Sequence, residues 1–534
     1  MADRSKTSKR DRGEPPDKVY QPVRAQRGSQ ISCQGWRQEA ALRMLMNSLD
    51  EGVAEQPRKL IACGTTGKVL RDWDCYHETV DALRRLASDE TLLIQSGKPA
   101  GVFKTQVEAS RVLIANSHLS GLSATDDKPD ELEDRGFAMS GHAAARGWTY
   151  VGSQGFLPAA FQTFDAVAQK HFGGNLAGKL IVSGGLGAAG GALPLAAGLL
   201  GAAFLGIEAD GEKIKRRIRA GYCDYCVNTL DEALRILKNA VRQKHAVSVG
   251  LVGNCADVMP ELAGRGVVPD VLTDQTSAHD LLNGYIPSGV SLDQAEALRH
   301  QDPQEYLNRA RESVVRHFDG MLALRKLGSV AFEFGNNIQA VARECAHVSE
   351  ASPFPDFLDA YLQPLLREGL APVRWVAISG EVGDIRRFDD LALKLFPDDA
   401  MLTRWIPLAR KHVRFQGLPA RVCWLGPQER IVLAEHVNKL VAKNIFKVPI
   451  VIAMDQAAGY KVSPTAGSKL EERNEAASDR GVLNALLTAA RGATWIAFER
   501  ERGYWRRASL ALVADGTPEA ELRLHRMLKN GSGT

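Results

Sequence analysis

A chain of 534 residues with 45% hydrophobic and 24% charged side chains has the balance of a soluble globular protein, long enough for about two to four domains. Sixty-seven Lys and Arg against 63 Asp and Glu leave a formal charge of +4, which is too small to predict nucleic acid or an anionic membrane as a partner. Eight scattered cysteines include one close pair, Cys223-x-x-Cys226, with no second pair to complete a zinc site; the expectation is a cytoplasmic protein with reduced thiols and no metal.

Residues 1–28 are basic, carry few large apolar side chains and have no signal-peptide middle, so they predict a mobile arm. The first part of a core domain then runs over 29–149. WRQEAALRMLMNSLDEGVAEQ (36–56) has helical spacing, KLIACGTTG (59–67) is a strand entering a glycine turn, and TVDALRRL (79–86) is a second helix. TLLIQSGKPAGVF (91–103) and RVLIANS (111–117) predict strands, and the polar stretch 119–136 predicts a surface loop.

A regular strand–helix alternation occupies the next domain, 150–345. KLIVSG (179–184), FLGIEAD (204–210), AVSVGLVG (246–253) and VVPDVLTDQ (267–275) are strands. Helices are predicted over 192–206, 229–243, 255–266 and 302–327. Such alternation predicts a parallel sheet with right-handed crossovers. The apolar run Gly190–Ile207 nears membrane length, but it starts in a glycine turn and is mostly Ala and Gly, which predicts a buried helix. Beyond 345, WVAISGE, RVCWLG, VPIVIAMD and ATWIAF predict further strands. The fold class is therefore α/β: a Rossmann-like domain inserted in a larger α/β core made of 29–149 and 346–534.

Gly185-x-Gly187-x-x-Gly190 lies between a predicted strand and a predicted helix, where it forms a dinucleotide loop: the glycines permit the turn, the approach of the pyrophosphate and close packing. Glu208 ends the next strand, at the place of the acid that binds ribose hydroxyls, and it favours NAD over NADP. TDQTSAHDLLNGYIPSG (273–289) crowds polar residues at a strand's carboxyl end, where ligands of a parallel sheet bind. Arg374, in RWVAISGE, offers a guanidinium fork for a carboxylate, and Cys423 lies in FQGLPARVCWLG.

LRMLMN, ETLLIQSGKPAGVFKT, RVLIANS, YVGSQG, TDQTSAHD, FGNNI, RWVAISGE and FQGLPARVCW, colinear over about 25–516, resemble urocanase, the NAD-dependent hydro-lyase of histidine breakdown. The resemblance implies a homodimer with tightly bound NAD+ that is not consumed and acts as an electrophile toward the imidazole ring of an imidazole-propenoate substrate. It implies a cofactor shell of Gly64, Gly185, Gly187, Ala188, Ala189, Gly190, Glu208, Lys213, Asn254, Cys255, Gln275, Thr276, Ser277, Ala278, His279, Tyr285, Ile286 and Phe334. It makes Cys423 and Asp455 the active-site residues and Arg374 the partner of the substrate carboxylate.

Departures from the family pattern gather in segments expected at the pocket. Cys63-Gly64-Thr65 replaces Tyr-Gly-Gly, Ser140 and His142 replace a tyrosine and a glutamine, and Phe334 replaces a tyrosine. DQAAGYKVS follows at Asp455, and ERERGYW (499–505) replaces a glycine-rich stretch. Loss of rings and phenols around Cys63, Ser140 and His142 predicts a roomier pocket with new hydrogen bonds. This is similar to the thiourocanate and S-methyl-thiourocanate hydratases of ergothioneine-related catabolism. Urocanate itself, a non-catalytic NAD-binding paralogue and a plain dehydrogenase are the alternatives.

Overall fold

The computed structural model describes residues 20–117, 139, 143–346, 354–457, 475–500 and 506–529. Ser140, His142, the 119–136 stretch and residues 501–505 lie outside the described residues. Residues 20–28 are not part of an arm. The Gly28 amide donates to the Ser379 carbonyl at 2.8 Å, Arg43 donates to the Gly28 carbonyl, Val23 is buried and the Tyr20 ring stands edge-on to Trp73.

The middle of the chain forms a six-stranded sheet in which every pairing is parallel. Its spatial order is Val330–Ala331, Val271–Asp274, Leu180–Gly184, Ala203–Glu208, Ser248–Val252 and Tyr225–Val227. These strands are buried on both faces, which is why they read as unbroken apolar runs. From Leu180–Gly184 the chain moves first to one side and later returns on the other. That reversal opens a crevice beyond the carboxyl ends of Leu180–Gly184 and Val271–Asp274.

The helix expected over 192–206 stops at Leu199. Gly201 takes φ +86°, which releases the chain into the strand Ala203–Glu208. Elements without an expectation of their own include the helices Leu157–His171 and Gly211–Arg219 and the strand Arg506–Ala514. Gly211–Arg219 buries Ile214 and Arg217, and a buried arginine looks like a surface charge in a sequence pattern.

Both ends of the chain share the second sheet. Its order is Ala420–Leu425, Ala371–Ala377, Ile450–Ala457, Arg506–Ala514, Trp495–Arg500, Val112–Ser117, Glu90–Gln95 and Lys98–Lys104. Trp495–Arg500 joins the two ends, pairing parallel with Val112–Ser117 and antiparallel with Arg506–Ala514. One face packs with Val376, Ala453 and Trp495 in a core with the N-terminal helices. The other packs with Val373, Trp375 and Met454 against helices of the middle and C-terminal segments. The buried Trp495 keeps a partner, its indole N–H donating to the Gly147 carbonyl at 3.0 Å. Among the described residues no helix is long and apolar enough to cross a membrane.

Just past the strand Val330–Ala331, Glu333 and Asp356 form a parallel bridge, and burial raises both carboxyl pKa values, that of Asp356 to about 7. An acid whose folded pKa is raised favours the fold while protonated, and that contribution is lost as pH rises through about 7. Asp356→Asn keeps an acceptor for the Leu358 amide, 2.8 Å from Oδ1. The variant is expected to raise the melting temperature more at pH 8 than at pH 5. Equal shifts at the two pH values in thermal scans would refute this.

Candidate functional site

The glycine loop begins where Leu180–Gly184 ends. Gly185 takes φ +75° and donates to the Ile207 carbonyl at 2.7 Å, and a Cβ there would collide with the Gln275 carbonyl. A Cβ on Gly190 would collide with the Gly185 carbonyl. Gly187 differs, since its missing Cβ has nothing within 4 Å. Two glycines thus let the loop fold, while the third leaves bare backbone facing an open crevice, as close approach of a pyrophosphate requires.

That crevice is lined by Gly185, Gly187, Glu208, Lys213, Asn254, Cys255, Gln275, Thr276, Ser277, Tyr285 and Ile286. A second depression shares Ala209, Gly253, Asn254 and Ile286 with it and adds Val252, Asp257, Val290, Ser291 and Leu292, a mixed apolar and polar lining. Glu208 accepts from the Leu186 amide at 2.8 Å and the Asp210 amide at 3.1 Å. Lys213 stands 3.6 Å away, its pKa raised chiefly by Glu208. A fixed carboxylate and an open glycine at this crevice fit what the ribose hydroxyls and pyrophosphate of NAD require.

Other expected shell residues stand back from the crevice. Ala188 is buried, its carbonyl accepting from Ser153 Oγ at 3.0 Å, while Ala189 and Gly190 continue the loop and Ala278 is buried in the Rossmann core. His279 is exposed. Phe334 stacks on Phe357 at 4.4 Å, and its carbonyl receives the Gln275 amide.

A buried polar floor lies beneath, and its Asp274, His317 and Asn336 are absent from the expected shell. Asp274 Oδ2 accepts from Thr276 Oγ1 at 2.6 Å, from the Thr276 amide at 3.3 Å and from the Asn336 amide nitrogen. Its Oδ1 stands 3.6 Å from His317 Nε2, while His317 Nδ1 faces the Tyr285 hydroxyl at 3.3 Å. Desolvation lowers the His317 pKa and raises that of Cys255, so neutral forms are favoured here. The Cys255, Asp274 and His317 ligand-type atoms lie within 4.8 Å of one another. Together they support the two crevice walls that carry Thr276 and Tyr285.

Two further expected site residues, Arg374 and Asp455, sit on the eight-stranded sheet. Side chains alternate across its faces, and Arg374 and Asp455 share one of them, joined by an ion pair of 2.5 Å between Nη2 and Oδ2. Ser509, paired opposite Asp455, donates to Asp455 Oδ1 at 3.0 Å. Ser153–Gly155 bridges the glycine loop and this sheet: a Cβ on Gly155 would lie 3.8 Å from Arg374 Nε, and Ser153 bonds the Ala188 carbonyl.

Two expected site residues turn elsewhere. Cys423 pairs with Val373, one residue out of phase with Arg374, so its thiol points to the opposite face. It is fully buried among apolar side chains, and burial raises its pKa. Cys63 is likewise inside a core, 5% exposed, with its pKa pushed up to about 12 by burial. Its turn nevertheless reaches the crevice side, because Gly64 is exposed and Thr65 Oγ1 donates to Asp280 Oδ2 at 3.2 Å.

Comparison with protein families accounts for almost the whole chain. Residues 23–149 match the urocanase N-terminal domain, residues 152–361 the urocanase Rossmann-like domain, and residues 364–534 the urocanase C-terminal domain. The chain belongs to the urocanase family, a family of hydro-lyases.

Proposed function

We propose that the chain is an NAD+-dependent hydratase of an imidazole-propenoate and that its own substrate carries sulfur on the imidazole ring, S-methyl-thiourocanate being the type. The observation that carries the substrate assignment is the turn Cys63–Thr65. Cys63 stands where the family pattern carries a tyrosine, and its small thiol is buried in the core, so the ring and its phenol donor are missing from this turn. A pocket built around polar contacts discriminates strongly between ring substituents, and a missing methyl-sized group alone changes rates by about 10–200-fold.

In this reading Arg374 holds the propenoate carboxylate. One of its nitrogens, Nη2, stays on Asp455, which Ser509 steadies, while the remaining guanidinium N–H groups donate to the ligand. Gln275, Thr276 and Ser277 line the cofactor crevice, and Glu208 and Lys213 form its ribose end. NAD+, when bound, supplies an electron-accepting ring. Net hydration takes up both hydrogens and the oxygen of water and removes no electrons, so a retained cofactor suffices. Cys423, on its placement, contributes as part of the core behind Arg374.

The test is to incubate purified protein with urocanate, thiourocanate and S-methyl-thiourocanate and follow loss of ultraviolet absorbance. The expected result is a kcat/KM for a sulfur-bearing substrate at least about 10-fold above that for urocanate. Turnover of urocanate alone overturns the substrate assignment. Bound NAD without turnover of any of the three supports a non-catalytic paralogue instead, and accumulating NADH a dehydrogenase.

A further inference from the structure

Arg217, on the helix Gly211–Arg219, is a buried charge that lines neither the crevice nor the Arg374 face. Its side chain is 1% exposed, and each nitrogen serves a different segment. Nε donates to the Leu186 carbonyl of the glycine loop at 3.0 Å, and Nη1 to Ser153 Oγ at 3.0 Å. Nη2 donates to Glu55 Oε1 at 2.7 Å. A Cβ on Gly191 would collide with this guanidinium, so the glycine that follows the dinucleotide motif makes room for it.

Each contacted segment leads to a different part of the site. The glycine loop faces the cofactor crevice, and Ser153 begins the turn that abuts Arg374. Glu55 is paired through its amide to the Ala62 carbonyl, one residue before the turn Cys63–Thr65. Arg216 repeats the attachment next door, donating to the Ala54 carbonyl at 2.5 Å and standing 3.6 Å from Glu55. A planar guanidinium fixes several acceptors at once, whereas an ammonium is a point charge without that geometry.

We propose that Arg217 is a positioning residue that couples the two halves of the site: cofactor in the crevice sets the Ser153–Gly155 turn and the Cys63–Thr65 turn for the substrate carboxylate, and a bound carboxylate in turn tightens the cofactor. The proposal rests on the NAD+ reading given above. Coupling of this kind is reciprocal and typically amounts to about 5–150-fold in affinity. Removing the three-way contact uncouples the ligands without removing a group that touches either.

The experiment measures NAD+ affinity of cofactor-stripped protein by equilibrium dialysis, with and without 3-phenylpropionate, a carboxylate analogue that lacks the imidazole ring. In the wild type the analogue is expected to tighten NAD+ by at least about 5-fold. In Arg217→Lys and in Glu55→Gln that factor is expected to fall to about one, with each ligand still binding. Glu55→Gln is nearly isosteric but loses the charge that holds Arg217 and Arg216, so it carries the test should Arg217→Lys fail to fold. A coupling factor equal to wild type in both variants, or no coupling in the wild type, overturns the proposal. Failure of the wild type to bind NAD+ at all overturns the cofactor reading instead.

Discussion

Arg374→Ala is expected to lower kcat/KM for the imidazole-propenoate about 10³-fold, with the protein still folded. The guanidinium is 11% exposed and bonded to Asp455, which is itself held by Ser509. Alanine removes the partner of the substrate carboxylate and leaves the Asp455 carboxylate facing the place that carboxylate would occupy. Breaking one side of a largely desolvated charge pair costs about 3–5 kcal/mol, and each 1.4 kcal/mol is a factor of ten. Arg374→Lys keeps the charge but loses the fork, so an intermediate loss, mainly in KM, is expected. Asp455→Asn separates binding from positioning, since it leaves Arg374 in place and removes the charge that orients it. Steady-state kinetics alongside thermal melts decide the matter. Unchanged turnover and apparent affinity in Arg374→Ala would remove Arg374 from the site.

How much of this could be read from the sequence depended on whether a residue's task leaves a periodic or motif signal. The Rossmann-like sheet was readable because its strands are buried on both faces, and TDQTSAHD fell at a carboxyl edge because Val271–Asp274 is a parallel strand. Gly185, Gly187 and Gly190 were readable as a set, although only the structure separates the two that permit folding from the one that faces the crevice. Cys423 shows the reverse. Its strand was evident, but which face a residue takes turns on a phase of one position, and Arg374 pairs with Val422 rather than with Cys423. Arg217 was hidden because GEKIKRRIR reads as a solvated helix, and its partners Leu186, Ser153 and Glu55 are remote in sequence. His317 was hidden for the same reason, within a long helix whose pattern is otherwise explained by packing against the helix Cys255–Gly264. The strand Arg506–Ala514 went unassigned beside the charged ERERGYW segment, yet it joins Asp455 to the N-terminal half of the sheet.

Gly187→Val is expected to abolish cofactor retention, lowering NAD+ affinity at least about 10³-fold, while leaving the stability of the cofactor-free protein within about 0.5 kcal/mol. Gly187 has an ordinary backbone conformation and empty space at its missing Cβ, so the fold accepts a side chain there. The crevice does not, because that side chain projects from the loop into the volume bounded by Glu208, Gln275 and Asn254. Gly185→Ala should behave in the opposite way. Its φ of +75° disfavours any Cβ, and the added methyl meets the Gln275 carbonyl, so about 3 kcal/mol of stability is lost before any ligand is considered. The contrast separates a ligand role from a folding role within one six-residue loop. Denaturant melts of both stripped variants, followed by NAD+ dialysis, give the two numbers needed. Were Gly187→Val to keep its NAD+, the cofactor would have to lie away from this loop, and the open face of Gly187 would be an accident of packing.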